Sequence, residues 1–139
     1  MNTGLLLYIP YRHLENRVMT AIRAAGFDVT LAQARLLQRL NPGGSRLTEL
    51  AEAAQVTKQT AGFLVDQLER AGYVRRVPDP TDGRARLIQA TAKARAAAPI
   101  AEDEIARIEK EWEEHVGKRR MTQLREALGK LCEITDPYR

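Results

Sequence analysis

The chain has 139 residues, 44% of them apolar and 29% charged, with a formal net charge of +4. That is one domain, or one domain with accessory helices, and enough apolar material for a core. With a single cysteine, Cys132, an intramolecular disulfide is excluded, and no apolar run approaches the ~18 residues that a membrane span needs.

Aromatic residues make up only 5% of the chain. A core must therefore come from Leu, Ala, Ile and Val, which suits packed helices. The lone thiol fits a reducing compartment. Leu5–Ile9 (LLLYI) lacks the basic leader and small-residue cleavage site of a signal peptide. A soluble, cytoplasmic protein with no membrane partner is expected. The positive balance leans toward a polyanionic partner without deciding for one.

In chain order, residues 1–9 are apolar, and Pro10 stands where a first helical turn tolerates proline. From Pro10, the spacing of Leu14, Val18, Ala21, Ile22 and Ala25 predicts a helix that stops at Gly26. Thr30 and Gln33 match a capping box that opens a second helix, with Leu36, Leu37 and Leu40 on one face. Residues 41–45 (NPGGS) break the chain.

Two short helices follow closely. The first is expected over Thr48–Ala54, burying Leu50 and Ala54. The second opens at the N-cap residue Thr57 and puts Ala61, Leu64, Val65 and Leu68 on its buried side. Gly72 supplies its stop. Next comes a hairpin, with arms Val74–Val77 and Arg86–Ala90 around a Pro-, Asp- and Gly-rich tip. Thr91 then caps a long helix marked by Ala94, Ala97, Ala101, Ile105, Ile108, Trp112 and Val116. Pro99 should kink or split that helix near Arg95–Ala96. Its other face is acidic, with Glu102, Asp103, Glu104, Glu109, Glu111, Glu113 and Glu114. Beyond Gly117 a last helix carries Met121, Leu124, Leu128 and Leu131.

The order is mostly α (α-α-α-α-β-β-α-α), the layout of a winged helix-turn-helix flanked by N- and C-terminal helices. Three segments are expected: 1–28, 29–91 and 92–139. Charge is divided along them. Between Gln55 and Arg95 stand Lys58, Arg70, Arg75, Arg76, Arg84, Arg86, Lys93 and Arg95, against only Asp66, Glu69, Asp79 and Asp82. Such asymmetry is the footprint of a phosphate-facing surface.

On the helix after Thr57, the polar side carries Lys58, Gln59, Thr60, Gly62 and Gln67. Lys58 and Thr60 can reach phosphates, and the Gln59 amide can bridge an adenine edge in the major groove. Alone, this helix reads better as a solvated face of ordinary polar residues. The hairpin immediately downstream changes that. Arg84 projects from a tip stiffened by Pro78, Pro80 and Gly83, and arginine is the usual response to a narrow minor groove. Asp82 is placed to orient the Arg84 guanidinium.

Residues 47–91, above all LVDQLERAGYV and DPTDGRARL, closely resemble the winged helix-turn-helix of the MarR family of bacterial transcriptional regulators. The Asp-x-Arg of Asp82 and Arg84 matches that family's wing signature. The resemblance implies a homodimeric regulator, with Lys58, Gln59, Thr60, Gly62 and Phe63 at DNA-contacting positions of the recognition helix. It also implies Arg84 in the minor groove, with Arg75, Arg76, Asp82 and Arg86 completing the wing. Three residues depart from the pattern. Phe63 replaces a polar or basic residue, so its contact could be apolar, as with a thymine methyl. Gly62 replaces a frequent serine, and Gln55 stands at a common turn glycine, where it must take left-handed strain.

Apolar surface at Leu5, Leu6 and Ile9 and along Leu124, Leu128 and Leu131 exceeds what a small core needs and suits a self-partner. A two-fold dimer would bind double-stranded DNA with a pseudo-palindromic operator. By the resemblance, a small aromatic effector would enter near Tyr11, His13, Arg17 and Trp112 and release a repressor. Cys132 reads as a buried, inert thiol. No enzyme is expected: His13 and His115 have no metal-ligand spacing, there is no Gly-rich phosphate loop, and no cofactor or metal is implied. The competing reading is a winged-helix module that binds a protein and leaves its basic wing solvated.

Overall fold

The computed structural model describes residues 1–138. Its helices are α1 (Thr3–Ala24), α2 (Leu31–Leu37), α3 (Leu47–Ala54), α4 (Lys58–Arg70), α5 (Ala92–Arg95), α6 (Ala98–Val116) and α7 (Lys118–Thr135). Strands β1 (Val74–Asp79) and β2 (Asp82–Ala90) lie between α4 and α5. The chain divides into two compact units: Asp28–Ala97, and residues 1–27 together with those from Ala98 onward. Residues 92–97, expected with the C-terminal helices, thus fold with the wing.

In the Asp28–Ala97 unit, α2, α3 and α4 pack on one another and α4 packs on β1. The buried side of α4 is Ala61, Leu64, Val65 and Leu68, as its spacing requires, and it meets buried Leu36, Leu50, Ala51, Val74 and Ile88 in one core. Each fully buried Leu or Val contributes about 1.5–3 kcal/mol. In α3, Ala51 rather than Ala54 is buried beside Leu50; Ala54 is the last residue of the helix, where the chain turns away at Gln55. The ends are set by side chains. Thr30 and Gln33 form the expected capping box, and the Thr57 hydroxyl oxygen accepts the Thr60 N–H at 3.0 Å.

After α4 the chain reverses through Gly72, with Gly72 N–H donating to the Glu69 carbonyl and Tyr73 N–H to that of Leu68. Gly72 has φ +83°, which glycine takes without strain. Gln55 occupies the equivalent place after α3 at φ 58° and ψ 44°. It is the one non-glycine with positive φ among the described residues, at a cost of about 1–2 kcal/mol.

The hairpin is longer than its alternation suggests. Val74 lies opposite Ala90 and Pro78 opposite Arg86, with a register shift before Asp79 meets Asp82. A third, one-residue strand was not legible beforehand. Ser45 N–H donates to Ile88 O at 3.0 Å and Ile88 N–H to Ser45 O at 2.8 Å. The break at 41–45 is therefore part of the wing. Gly44, at φ +107°, makes it fit: a Cβ there would lie 3.0 Å from Gln89 Cγ and 3.1 Å from Leu87 Cβ.

In the other unit, α1 packs on α6 and α6 on α7. Here the expected start at Pro10 is corrected: α1 begins seven residues earlier, where Asn2 caps it by accepting the Leu5 N–H at 2.9 Å. Pro10 is inside the helix; lacking an N–H, it leaves the Leu6 carbonyl without its i+4 donor. The cap and the helix-favouring leucines outweigh that loss. At the other end Gly26 closes α1 at φ +96°. The buried residues of α1 are Glu15, Met19 and Ile22, so the inward stripe lies beside the Leu14–Val18 line rather than on it.

Pro99 does split the long helix, into α5 and α6, with the break at residues 96–97. Of the expected stripe, Ile108 is fully buried while Val116 is exposed, since Val116 sits in the last turn, where Gly117 turns the chain at φ +92°. Glu104 belongs to the packing of α6 rather than to a solvated acidic face. It accepts from Arg17 on α1 at 2.8 Å and from Arg107 at 2.9 Å.

Two substitutions test these backbone assignments by thermal unfolding. Gly44→Ala is expected to destabilise by about 1–3 kcal/mol, because overpacking and positive φ act together. Gln55→Gly is expected to stabilise by up to about 1 kcal/mol, since relief of left-handed strain exceeds the added unfolded-chain entropy.

Candidate nucleic-acid interface

Burial of one side of α4 leaves the opposite side to solvent. Lys58, Gln59 and Thr60 are exposed in the first turn, and Phe63 follows one turn later at 59% exposure. Gly62 is half-exposed, and a Cβ built on it would meet only Leu47 Cδ2, at 3.7 Å. Packing therefore does not demand glycine there. At the start of α4 the uncapped N–H groups and Lys58 offer donors and positive potential together, an arrangement that takes phosphate oxygens.

The wing arginines divide into two groups. Arg75, Arg84 and Arg86 are exposed, with Arg75 Nε donating to Gln89 Oε1 across the ladder at 3.1 Å. Arg76 is half-buried and committed inward. Its guanidinium reaches Asp66 and Glu69 on α4, each at 2.7 Å. It thereby fastens the wing root to α4 and neutralises two carboxylates on a helix that faces a basic wing.

Asp82 acts on backbone instead of on the Arg84 guanidinium. Its Oδ1 accepts the Arg84 N–H at 3.0 Å. A two-residue separation in a tight turn brings a short carboxylate over the following N–H, while a long arginine side chain leads away from it. Arg84 is thus offered by a braced turn.

Sequence reading missed the anchor of this tip. Asp79 is buried, and its Oδ1 accepts the Thr81 N–H at 2.9 Å and the Thr81 hydroxyl at 2.7 Å. Its Oδ2 accepts from Arg46 at 2.7 and 2.9 Å. The Asp-Pro-Thr turn was visible as a local pattern; the Arg46 contact, 33 residues away, was not. Thr81 first, and then Arg46, hold the Asp79 carboxyl at about 2, against an ordinary value of 3.8. Arg46, Lys58, Arg76 and Arg86 line one hollow between the helices and the wing. The result is a donor-rich, cationic surface built on rigid elements, with an exposed helix beside an exposed ribbon. It can take a polyanion of regular shape.

The other expected sites lie in the helical unit. The Tyr11 hydroxyl donates to Glu15 Oε2 at 2.7 Å, and Arg17 is held by Glu104 and by Glu111. Arg107 first and Arg17 second keep the Glu104 carboxyl below its ordinary value, and Arg17 does the same for Glu111. His13 is exposed and Trp112 half-buried. Leu5, Leu6, Ile9, Leu124 and Leu131 are exposed, and Leu128 is half-buried. Cys132, expected to be buried, is exposed on α7, because that helix turns chiefly Met121 inward. Among the described residues no cluster of His, Cys, Asp or Glu could hold a metal ion, and no helix is long and apolar enough to cross a membrane.

Asp79 makes the wing acid-sensitive in a defined window. Its folded pKa is depressed, so its stabilising contribution is present above the unfolded value and lost as pH falls through the folded one. The Tm difference between wild type and Asp79→Asn is expected to be full at about pH 5 and to close between about pH 4 and pH 2. A difference that stays constant across this window contradicts the Arg46–Asp79–Thr81 assignment.

Residues 27–85 match the family model of the MarR family. No curated protein sequence matches the chain. Among solved structures, the crystal structure of MarR is similar, with 23% identity, 97% of this chain and 98% of that chain covered and a TM-score of 0.77. A transcriptional regulator from Thermotoga maritima shares 26% identity over 94% of this chain and 92% of its own, with a TM-score of 0.65. The transcriptional repressor CouR, bound to a 23-mer DNA duplex, shares 23% identity over 94% and 92% of the two chains, with a TM-score of 0.69.

Proposed function

We propose that this chain, which belongs to the MarR family through residues 27–85, is a sequence-specific double-stranded DNA-binding regulator of transcription. Its fold is that of MarR-family transcriptional regulators, a mostly helical chain with a two-stranded antiparallel wing. The observation that carries the reading is the cationic hollow between the helices and the wing, lined by Arg46, Lys58, Arg76 and Arg86, beside the exposed side of α4 and with Arg84 exposed at the wing tip. Lys58, Gln59, Thr60, Gly62 and Phe63 would meet the major groove, and Arg84 the adjacent minor groove. CouR, a repressor of similar fold, is bound to duplex DNA in its structure, which supports the same use of this surface.

The reading includes a homodimer. Leu5, Leu6, Ile9, Leu124 and Leu131 are large apolar side chains left exposed, which a self-partner would cover. A two-fold pair would set two copies of α4 about one helical turn of DNA apart, on a pseudo-palindromic operator. Repression in the cytoplasm, relieved by a small aromatic effector near Tyr11, His13, Arg17 and Trp112, completes the proposal. Such a ligand would meet Arg17 already paired with Glu104 and Glu111. It would act by favouring a spacing of the two α4 helices that no longer matches successive grooves. No catalytic step is assigned.

The experiment is selection from a pool of randomised duplexes at two salt concentrations, with Arg84→Ala in parallel. Wild type is expected to enrich a two-fold symmetric motif, with affinity falling steeply as salt rises. Arg84→Ala should bind more weakly, with the salt slope reduced by about one per wing. Unchanged pools and negligible binding at low salt would instead favour a winged-helix module that binds protein.

A further inference from the structure

Phe63 is anomalous within its unit. Every other exposed large apolar side chain in the described chain lies at Met1–Tyr11 or from Val116 onward. The Asp28–Ala97 unit hides its large apolar residues and leaves one aromatic ring, 59% exposed, on α4. Nothing in the core requires it there, since the buried side of α4 is complete without it. A docking patch for a protein would be a contiguous apolar area. Phe63 is instead the one exposed large apolar residue of its unit, on the same helix as exposed Lys58, Gln59 and Thr60.

We infer that Phe63 is a specificity-determining residue that reads the C5-methyl group of a thymine in the major groove; this rests on the DNA-binding reading above. The thymine methyl is the one apolar group on a major-groove base edge. Phe63 stands one helical turn after Gln59 on the same side of α4, so the two side chains are neighbours about 5–6 Å apart at Cβ. Gln59 suits an adenine edge, and Phe63 a thymine close to it. Gly62, next to Phe63, adds no side chain of its own; a Cβ there would meet only Leu47 Cδ2, at 3.7 Å. Discrimination acts in both directions. A thymine methyl is taken out of water against the ring, whereas a cytosine in its place would present an amino group that the ring cannot satisfy.

The test begins with the motif selected by wild type. Each thymine of a half-site is replaced in turn by deoxyuridine, which deletes the methyl and keeps the base pair. Affinities are measured for wild type and Phe63→Ala; the exposure of Phe63 allows the variant to fold, and its Tm checks this. At one position wild type is expected to lose about fourfold for the methyl removed, while Phe63→Ala loses nothing on the same change. If no uracil substitution weakens wild type, or if wild type and variant weaken alike, the assignment of Phe63 is overturned. Failure of the unmodified duplex to bind overturns the DNA-binding reading itself, and shows before any uracil is introduced.

Discussion

Ala61, Leu64, Val65 and Leu68 are buried on one side of α4, and that burial decides what the other side can present. A helix that gives four positions to the core cannot rotate without exposing them, at about 1.5–3 kcal/mol for each large side chain. Lys58, Gln59, Thr60 and Phe63 are therefore aimed by residues that touch no ligand. The positional precision of that exposed side comes from the core behind it.

The wing is aimed by charge. Its arginines look equivalent in composition, yet Arg76 is spent inside the unit on Asp66 and Glu69, while Arg75, Arg84 and Arg86 remain exposed. Arg46 comes from outside the hairpin and ties the tip through Asp79. The Ser45–Ile88 bridge adds backbone pairing to the same ribbon. Two ion-pair anchors and a third short strand make a rigid ribbon out of a two-stranded hairpin that alone would be marginal in water. Rigidity matters because a flexible wing would surrender conformational entropy on binding.

The helical unit follows a different logic. Its helices are joined partly by ion pairs near the surface, with Arg17 shared by Glu104 and Glu111 and with Arg125 of α7 reaching Glu109 of α6 at 2.8 Å. Apolar side chains that would complete an ordinary core are turned outward instead, at the N-terminal half of α1 and along α7. Partial exposure makes these ion pairs individually weak, so closure of the apolar faces against a partner would supply stability that the ion pairs do not. This is the physical case for the homodimer proposed above.

Local chemistry was legible in the residues. The capping box at Thr30 and Gln33, the cap at Thr57, the glycine stop at Gly72, the buried side of α4 and the break before Pro99 all depend on neighbours within a few positions. The sequence by itself determined these elements and their order, and with them the winged helix-turn-helix. Tertiary structure decided what joins distant segments: Arg46 to Asp79, Arg76 to α4, Ser45 to Ile88 and Arg17 to Glu104. It also decided which way ambiguous residues turned. Pro10 lies within α1 because a cap at Asn2 outweighed one missing hydrogen bond, and Cys132 is exposed because α7 gives mainly Met121 to the interior. Spacing carries the period of a helix and the reach of a cap, but the pairing of two charges far apart in the chain exists only once the core has brought them together.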